Sequence, residues 1–156
     1  MYKRQNLLKL LEPYQGFDIW GVKDPRTLLV LDGWRAVTKP KFIGTFRHPN
    51  EVAASLVYRA KVSKKPMEMD AAYDLWAAYN QRLLAIYDEV PFDIIRYDVK
   101  PSVYNEKLSK IAQNLGLNTE LIKNFRDQEL HNQHNTDESI PSRLKSIWEA
   151  LNDITL

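Results

Sequence analysis

Hydrophobic positions in this chain fall into two rhythms, one of helical period and one of short apolar runs. The longest helical stretch places Ala72, Leu75, Trp76, Tyr79, Leu83, Ile86 and Tyr87 at i, i+3, i+4, i+7, i+11, i+14 and i+15, a continuous stripe on one face. Val52, Ala53, Leu56, Val57 and Ala60 share that spacing, as do Tyr104, Leu108, Ile111, Ala112 and Leu115, and again Ile140, Leu144, Ile147, Trp148 and Leu151. Two starts carry their own signals: Asp24-Pro25, an N-cap and a first-turn proline, opens a helix over about 26–36, and His48-Pro49-Asn50-Glu51 opens the one bearing Val52. Segments 17–22, 41–46 and 92–97, rich in β-branched and aromatic residues, predict three strands. Strands alternating with helices predict an α/β fold, a small parallel sheet flanked by helices in three layers, with residues 1–156 as a single domain.

Composition narrows the chemistry. Apolar residues are 44% of 156, enough to bury a core, so a disordered or fibrous chain is excluded. The charge, 22 Lys+Arg minus 20 Asp+Glu, is +2, so no nucleic-acid partner is expected from bulk electrostatics, and any anion site must be local. No apolar run approaches the ~20 residues of a membrane span, and Met1 to Pro13 lacks the layout of a signal peptide, so the chain reads as soluble and cytoplasmic. The absence of cysteine excludes a disulfide scaffold, a thiolate metal site and a cysteine nucleophile. The five glycines, Gly16, Gly21, Gly33, Gly44 and Gly116, are scattered, whereas a phosphate-cradling loop needs them clustered. Gly16-Phe-Asp-Ile-Trp-Gly21-Val-Lys23 approaches a Walker loop, but its lysine is one residue late and no Ser or Thr follows.

The candidate chemistry gathers where the strand ending at Phe46 delivers Arg47 to its carboxyl end, the end at which open α/β sheets bind ligands. Arg47 offers a five-donor fork, Ser55 on the following helix a hydroxyl, and the helix start free N–H groups, which together suit a phosphate. The alternative is a structural arginine paired with Asp24, Glu51 or Asp98, and Glu51 at the helix start would repel an anion.

The run Lys41-Phe-Ile-Gly-Thr-Phe-Arg47-His-Pro-Asn-Glu-Val-Ala-Ala-Ser55 resembles the 3′-phosphate-binding segment of sulfotransferases, in which a hydrophobic strand ends in Arg-x-Pro and a serine follows eight residues after the arginine. Trp20-Gly-Val-Lys23-Asp24-Pro25-Arg26 resembles the Lys-Asp-Pro-Arg motif of the bacterial carbohydrate-type branch, and the order of later elements to Trp148 is similar. The resemblance implies a P-loop NTPase-like sulfotransferase fold and transfer of a sulfuryl group from the co-substrate 3′-phosphoadenosine 5′-phosphosulfate to a hydroxyl or amine of a carbohydrate acceptor. It implies that Arg47 and Ser55 hold the 3′-phosphate, that Lys23 lies near the 5′-phosphosulfate, and that no metal is needed.

Two departures bear on activity. The family's opening strand, Ser-Gly-Thr loop and helix, which cradle the 5′-phosphosulfate, have no counterpart, so a complementing N-terminal segment or a homo-oligomer is a candidate partner, and a catalytically incomplete fragment or a non-enzymatic nucleotide- or anion-binding module is the rival reading. The proton-accepting base is also unassigned: the position two residues after Lys23 is Pro25, and Asp24, the neighbouring carboxylate, doubles as an N-cap. Other groups have plainer readings. His48 belongs to a helix start, His131 and His134 near Glu129 and Asp137 to a polar loop with metal-compatible spacing, and Trp76, Tyr79 and Trp148 to apolar stripes. Arg59, Lys61, Lys64 and Lys65 beside Tyr58 form a short basic cluster that reads as a solvated loop or as a contact for an anionic sugar, a donor or nucleic acid.

Overall fold

A computed structural model describes residues 4–122 and 139–156. They form two compact units, one within residues 4–42 and one within 43–122 and 139–156.

In the first unit, α1 (Arg4–Leu11) runs into a single 3-10 turn, Glu12–Tyr14. α1 carries only a short sequence signal, the i, i+4 pair Leu7 and Leu11, of which Leu7 is buried. A Cβ on Gly33 would sit 3.2 Å from Leu7 Cδ1, so glycine lets α2 (Leu31–Arg35) approach that leucine. The helix expected over 26–36 is split into a 3-10 stretch, Pro25–Val30, and α2, because Val30 leaves helical geometry at φ −124°. The strand expected over 17–22 does not form. Phe17 and Ile19 are 64% and 63% exposed, and no strand among the described residues of this unit offers them a ladder; strand propensity needs a neighbouring strand and a half-buried surface to act on.

The second unit is a mixed α/β assembly. β1 (Ile43–Phe46) and β2 (Asp93–Arg96) pair in parallel, Ile43 opposite Asp93 and Phe46 opposite Arg96, and the crossover between them is α3 (Pro49–Val62) and α4 (Met69–Glu89). Helices flank this sheet. On one face, Gly44 lies against Ile94, Phe92 and Leu83 of α4, so closely that an added Cβ would come within 2.8 Å of Ile94 Cγ1. On the other, α5 (Pro101–Asn114) covers Ile95 with Tyr104 and Ile111. Burial on both faces explains the unbroken Ile94-Ile95 pair, whereas β1 alternates exposed Ile43 and Thr45 with buried Gly44 and Phe46. The expected sheet is therefore parallel and helix-flanked, with two strands among the described residues instead of three.

The stripe of α4 matches the expected one with one shift, and that of α6 starts after Ile140. Ala72, Trp76, Leu83 and Ile86 of α4 are buried, and so is Asn80, whose Nδ2 donates to Trp76 O at 2.8 Å, while Leu75 lies on the exposed margin. α6 (Ser142–Asp153) buries Leu144, Ile147 and Leu151 and packs on α4, where Arg143 Nη2 donates to Asp70 at 2.9 Å. No described helix is long and apolar enough to cross a membrane.

Candidate functional site

The parallel register brings the ends of β1 and β2 side by side, so the residues just beyond them face each other. Tyr97 N–H donates to Phe46 O at 2.9 Å and extends the ladder to the residue before Arg47. The Arg47 carbonyl accepts from Trp76 Nε1 at 3.0 Å, which fixes its backbone to α4. Its guanidinium lies over the Tyr97 ring at 5.1 Å, and Nη2 donates to Glu51 Oε2 at 2.7 Å. Among the described residues its buried Nε has no hydrogen-bond partner. An N–H left so costs about 1–3 kcal/mol in desolvation. The fork is thus half used.

The three carboxylates considered for Arg47 divide cleanly. Glu51 takes it, with side chains 32% and 16% exposed. Asp98, 6% exposed, is forked by Arg96, Nε to Oδ1 at 3.0 Å and Nη2 to Oδ2 at 2.9 Å. In the first unit, Asp24 is held by Arg26.

α3 begins as its sequence predicts. His48 is the N-cap, its Nδ1 accepting from Asn50 N–H at 3.3 Å, and Pro49 occupies the first turn. Asn50, absent from the sequence-level candidates, is buried: it accepts from Tyr73 OH at 3.0 Å and donates to Ser139 O at 2.8 Å, pinning the helix start. Glu51, Ser55 and Arg59 follow at four-residue steps and share one helix face. Ser55 is half-buried on that face, one turn past the carboxylate that Arg47 grips. Arg47 and Ser55 therefore belong to one strand end and one helix face.

Trp148 of α6 closes the same end of the sheet. Its ring stands edge-on to Phe46 at 5.6 Å and to His48 at 5.0 Å, and Arg96 lies over it at 4.5 Å. The packing role expected for Trp148 thus includes holding strand end, helix cap and Arg96 together. Trp76 is buried, and Tyr79 half-buried. Tyr97 and Arg96 could not be placed from the sequence, since the expected strands 41–46 and 92–97 lie 51 apart, whereas the observed register pairs residues 50 apart and sets residue 97 beside residue 47.

Lys23 and Asp24 lie in the first unit. Lys23 is exposed, in chain without regular structure. Asp24 caps the 3-10 stretch, Oδ1 accepting from Arg26 N–H at 2.9 Å, while Arg26 Nε and Nη2 reach both its oxygens. The Arg26 side chain, then the Arg26 N–H, pulls the Asp24 carboxyl from 3.8 down to about 2. The contact's contribution to stability is therefore complete above 3.8 and is lost as pH falls through about 2. Arg26→Ala is expected to return the Asp24 midpoint toward 3.8 in a carboxyl NMR titration; a midpoint left near 2 would contradict the assigned cause.

His131, His134, Glu129 and Asp137 lie outside the described residues. Among the described residues no group of three or more His, Asp and Glu is placed to hold a metal ion. Compared with known proteins, the chain matches no family model, no curated protein and no solved structure.

Proposed function

We propose that this protein is of the sulfotransferase type, with 3′-phosphoadenosine 5′-phosphosulfate as donor and a carbohydrate hydroxyl or amine as acceptor, on a P-loop-like sulfotransferase scaffold. The observation that carries this reading is the half-used fork of Arg47 at a strand's carboxyl end, beside a helix start and on the face of Ser55. A 3′-phosphate that displaces Glu51 would take Nη2 and satisfy Nε at once, the bidentate geometry a guanidinium favours. Ser55 then offers its hydroxyl to the same phosphate. In the transfer, the bond from sulfur to the 5′-phosphate oxygen breaks as the acceptor oxygen or nitrogen bonds sulfur and gives up its proton. By the resemblance alone, the ammonium of Lys23 is assigned to charge on the leaving phosphate. Asp24 takes the acceptor's proton only after releasing Arg26, since a carboxylate held near 2 is a weak base.

That engagement of Asp24 favours a second reading, nucleotide binding without transfer. Labelled-sulfate transfer from the donor to a panel of glycans separates the two. Sulfated product that disappears in Lys23→Ala supports transfer; nucleotide binding without product on any acceptor supports the binding module.

A further inference from the structure

The ends of α3 and α5 share a backbone arrangement but not the residue that suits it. α5 terminates with Gly116 at φ 73°, its N–H donating to Gln113 O at 2.9 Å and the next N–H, of Leu117, to Ala112 O at 2.8 Å. This Schellman arrangement calls for a left-handed residue, which glycine provides without penalty. α3 ends in the same arrangement, Lys64 N–H to Lys61 O at 3.1 Å and Lys65 N–H to Ala60 O at 2.9 Å, but the left-handed residue is Lys64, at φ 56°. Among the described residues it is the one non-glycine at positive φ. A Cβ there is unfavourable. Backbone strain of this kind points to a use for the side chain.

The surroundings indicate that use. Arg59, Lys61, Lys64 and Lys65 are exposed, and among the described residues none has an acidic partner. No acid lies between Glu51 and Glu68, so these four carry +4 while the rest of the chain sums to +2 − 4 = −2. Tyr58, Lys61 and Val62 fall at i, i+3 and i+4 of α3, and Tyr58 and Val62 are 58% and 65% exposed. The result is one exposed aromatic and one exposed aliphatic side chain among four exposed cations. With ~1.5 Å rise per residue, the lysines lie roughly 20 Å along α3 from the Arg47 end and stand apart from that site, while Arg59, whose Nε donates to Ser55 O at 3.4 Å, borders it.

We infer that the C-terminal turn of α3 is a docking surface for an acidic polysaccharide, its carboxylate or sulfate groups on the four cations and a sugar ring on Tyr58. The choice of a glycan rests on the proposed carbohydrate acceptor; the surface itself does not. A single aromatic and a cluster confined to one helix end argue against single-stranded nucleic acid, which tracks a longer basic groove across several stacking rings.

The test uses the whole chain without donor, so it is independent of Arg47 and of transfer. A sulfated glycosaminoglycan oligosaccharide is expected to bind with an affinity that falls as salt rises, with dextran not binding. Lys61→Gln with Lys65→Gln is expected to weaken binding about tenfold. Lys64→Gly separates use from fold: it is expected to raise the melting temperature by about 2 °C while weakening the oligosaccharide about threefold. Oligo-deoxythymidine of equal charge binding as tightly, or oligosaccharide binding unchanged in Lys64→Gly, would overturn the inference.

Discussion

Arg47→Ala is expected to lose about tenfold to a hundredfold in affinity for 3′-phosphoadenosine 5′-phosphate and nothing for adenosine 5′-phosphate. The size follows from charge-assisted hydrogen bonds of about 1.5–3 kcal/mol, and the selectivity from the fork's contact with the 3′-phosphate alone. Arg47→Lys keeps the charge without the fork and falls between the two. Glu51→Gln acts in the opposite direction: it weakens the 2.7 Å contact that the phosphate must displace, so 3′-phosphate binding tightens. Calorimetric titration of the three variants checks the set. A uniform loss for both nucleotides in Arg47→Ala would mean that the arginine supports the fold and does not read the 3′-phosphate. Because Arg47 also rests on Tyr97 and pairs with Glu51, each variant's melting curve establishes that the titrated protein is folded.

Trp148→Ala is expected to cost about 2–4 kcal/mol, the range for removing a large aromatic that is only partly shielded. One ring touches Phe46, His48 and Arg96, so its loss opens a cavity at the carboxyl end of both strands and removes the face on which Arg96 lies. Denaturant unfolding followed by circular dichroism measures the cost, and Trp148→Phe, which restores the edge contacts with Phe46 and His48, should recover part of it. A cost below about 1 kcal/mol would show that α6 is held by Leu144, Ile147, Leu151 and Arg143 without help from this ring. Since His48 caps α3, Trp148→Ala should also weaken the 3′-phosphate contact, by less than Arg47→Ala does.

Periodicity carried the helices of the second unit because their stripes are long and each packs on a neighbour. The stripe in α4 was legible from Ala72 to Tyr87, and only Leu75 proved marginal. The segment 17–22 misled for the converse reason: Phe17, Ile19 and Val22 have the composition of a strand, but composition does not supply a hydrogen-bonded neighbour, and all three are exposed. At the candidate site, the strand-to-helix junction at Arg47, the cap at Asp24 and the proline starts were readable because capping is local chemistry. The partition of carboxylates turned out to be local, Asp24 with Arg26 and Asp98 with Arg96 two residues apart and Glu51 with Arg47 four apart, so each acid is held by the arginine nearest to it along the chain. Asn50 was invisible for the converse reason: its partners, Tyr73 and Ser139, are 23 and 89 residues away.

The strained lysine at the end of α3 belongs to a different class. Lys64 reads from the sequence as one cation in a solvated cluster, and only the hydrogen bonds that close the helix show it standing where α5 uses glycine.

The measurement that bears most directly on the proposed function is a calorimetric titration of the unaltered chain with 3′-phosphoadenosine 5′-phosphate and, separately, with adenosine 5′-phosphate. The half-used fork of Arg47 predicts binding at least tenfold tighter for the 3′-phosphorylated nucleotide. Equal affinity for the two, or binding of neither, would contradict it.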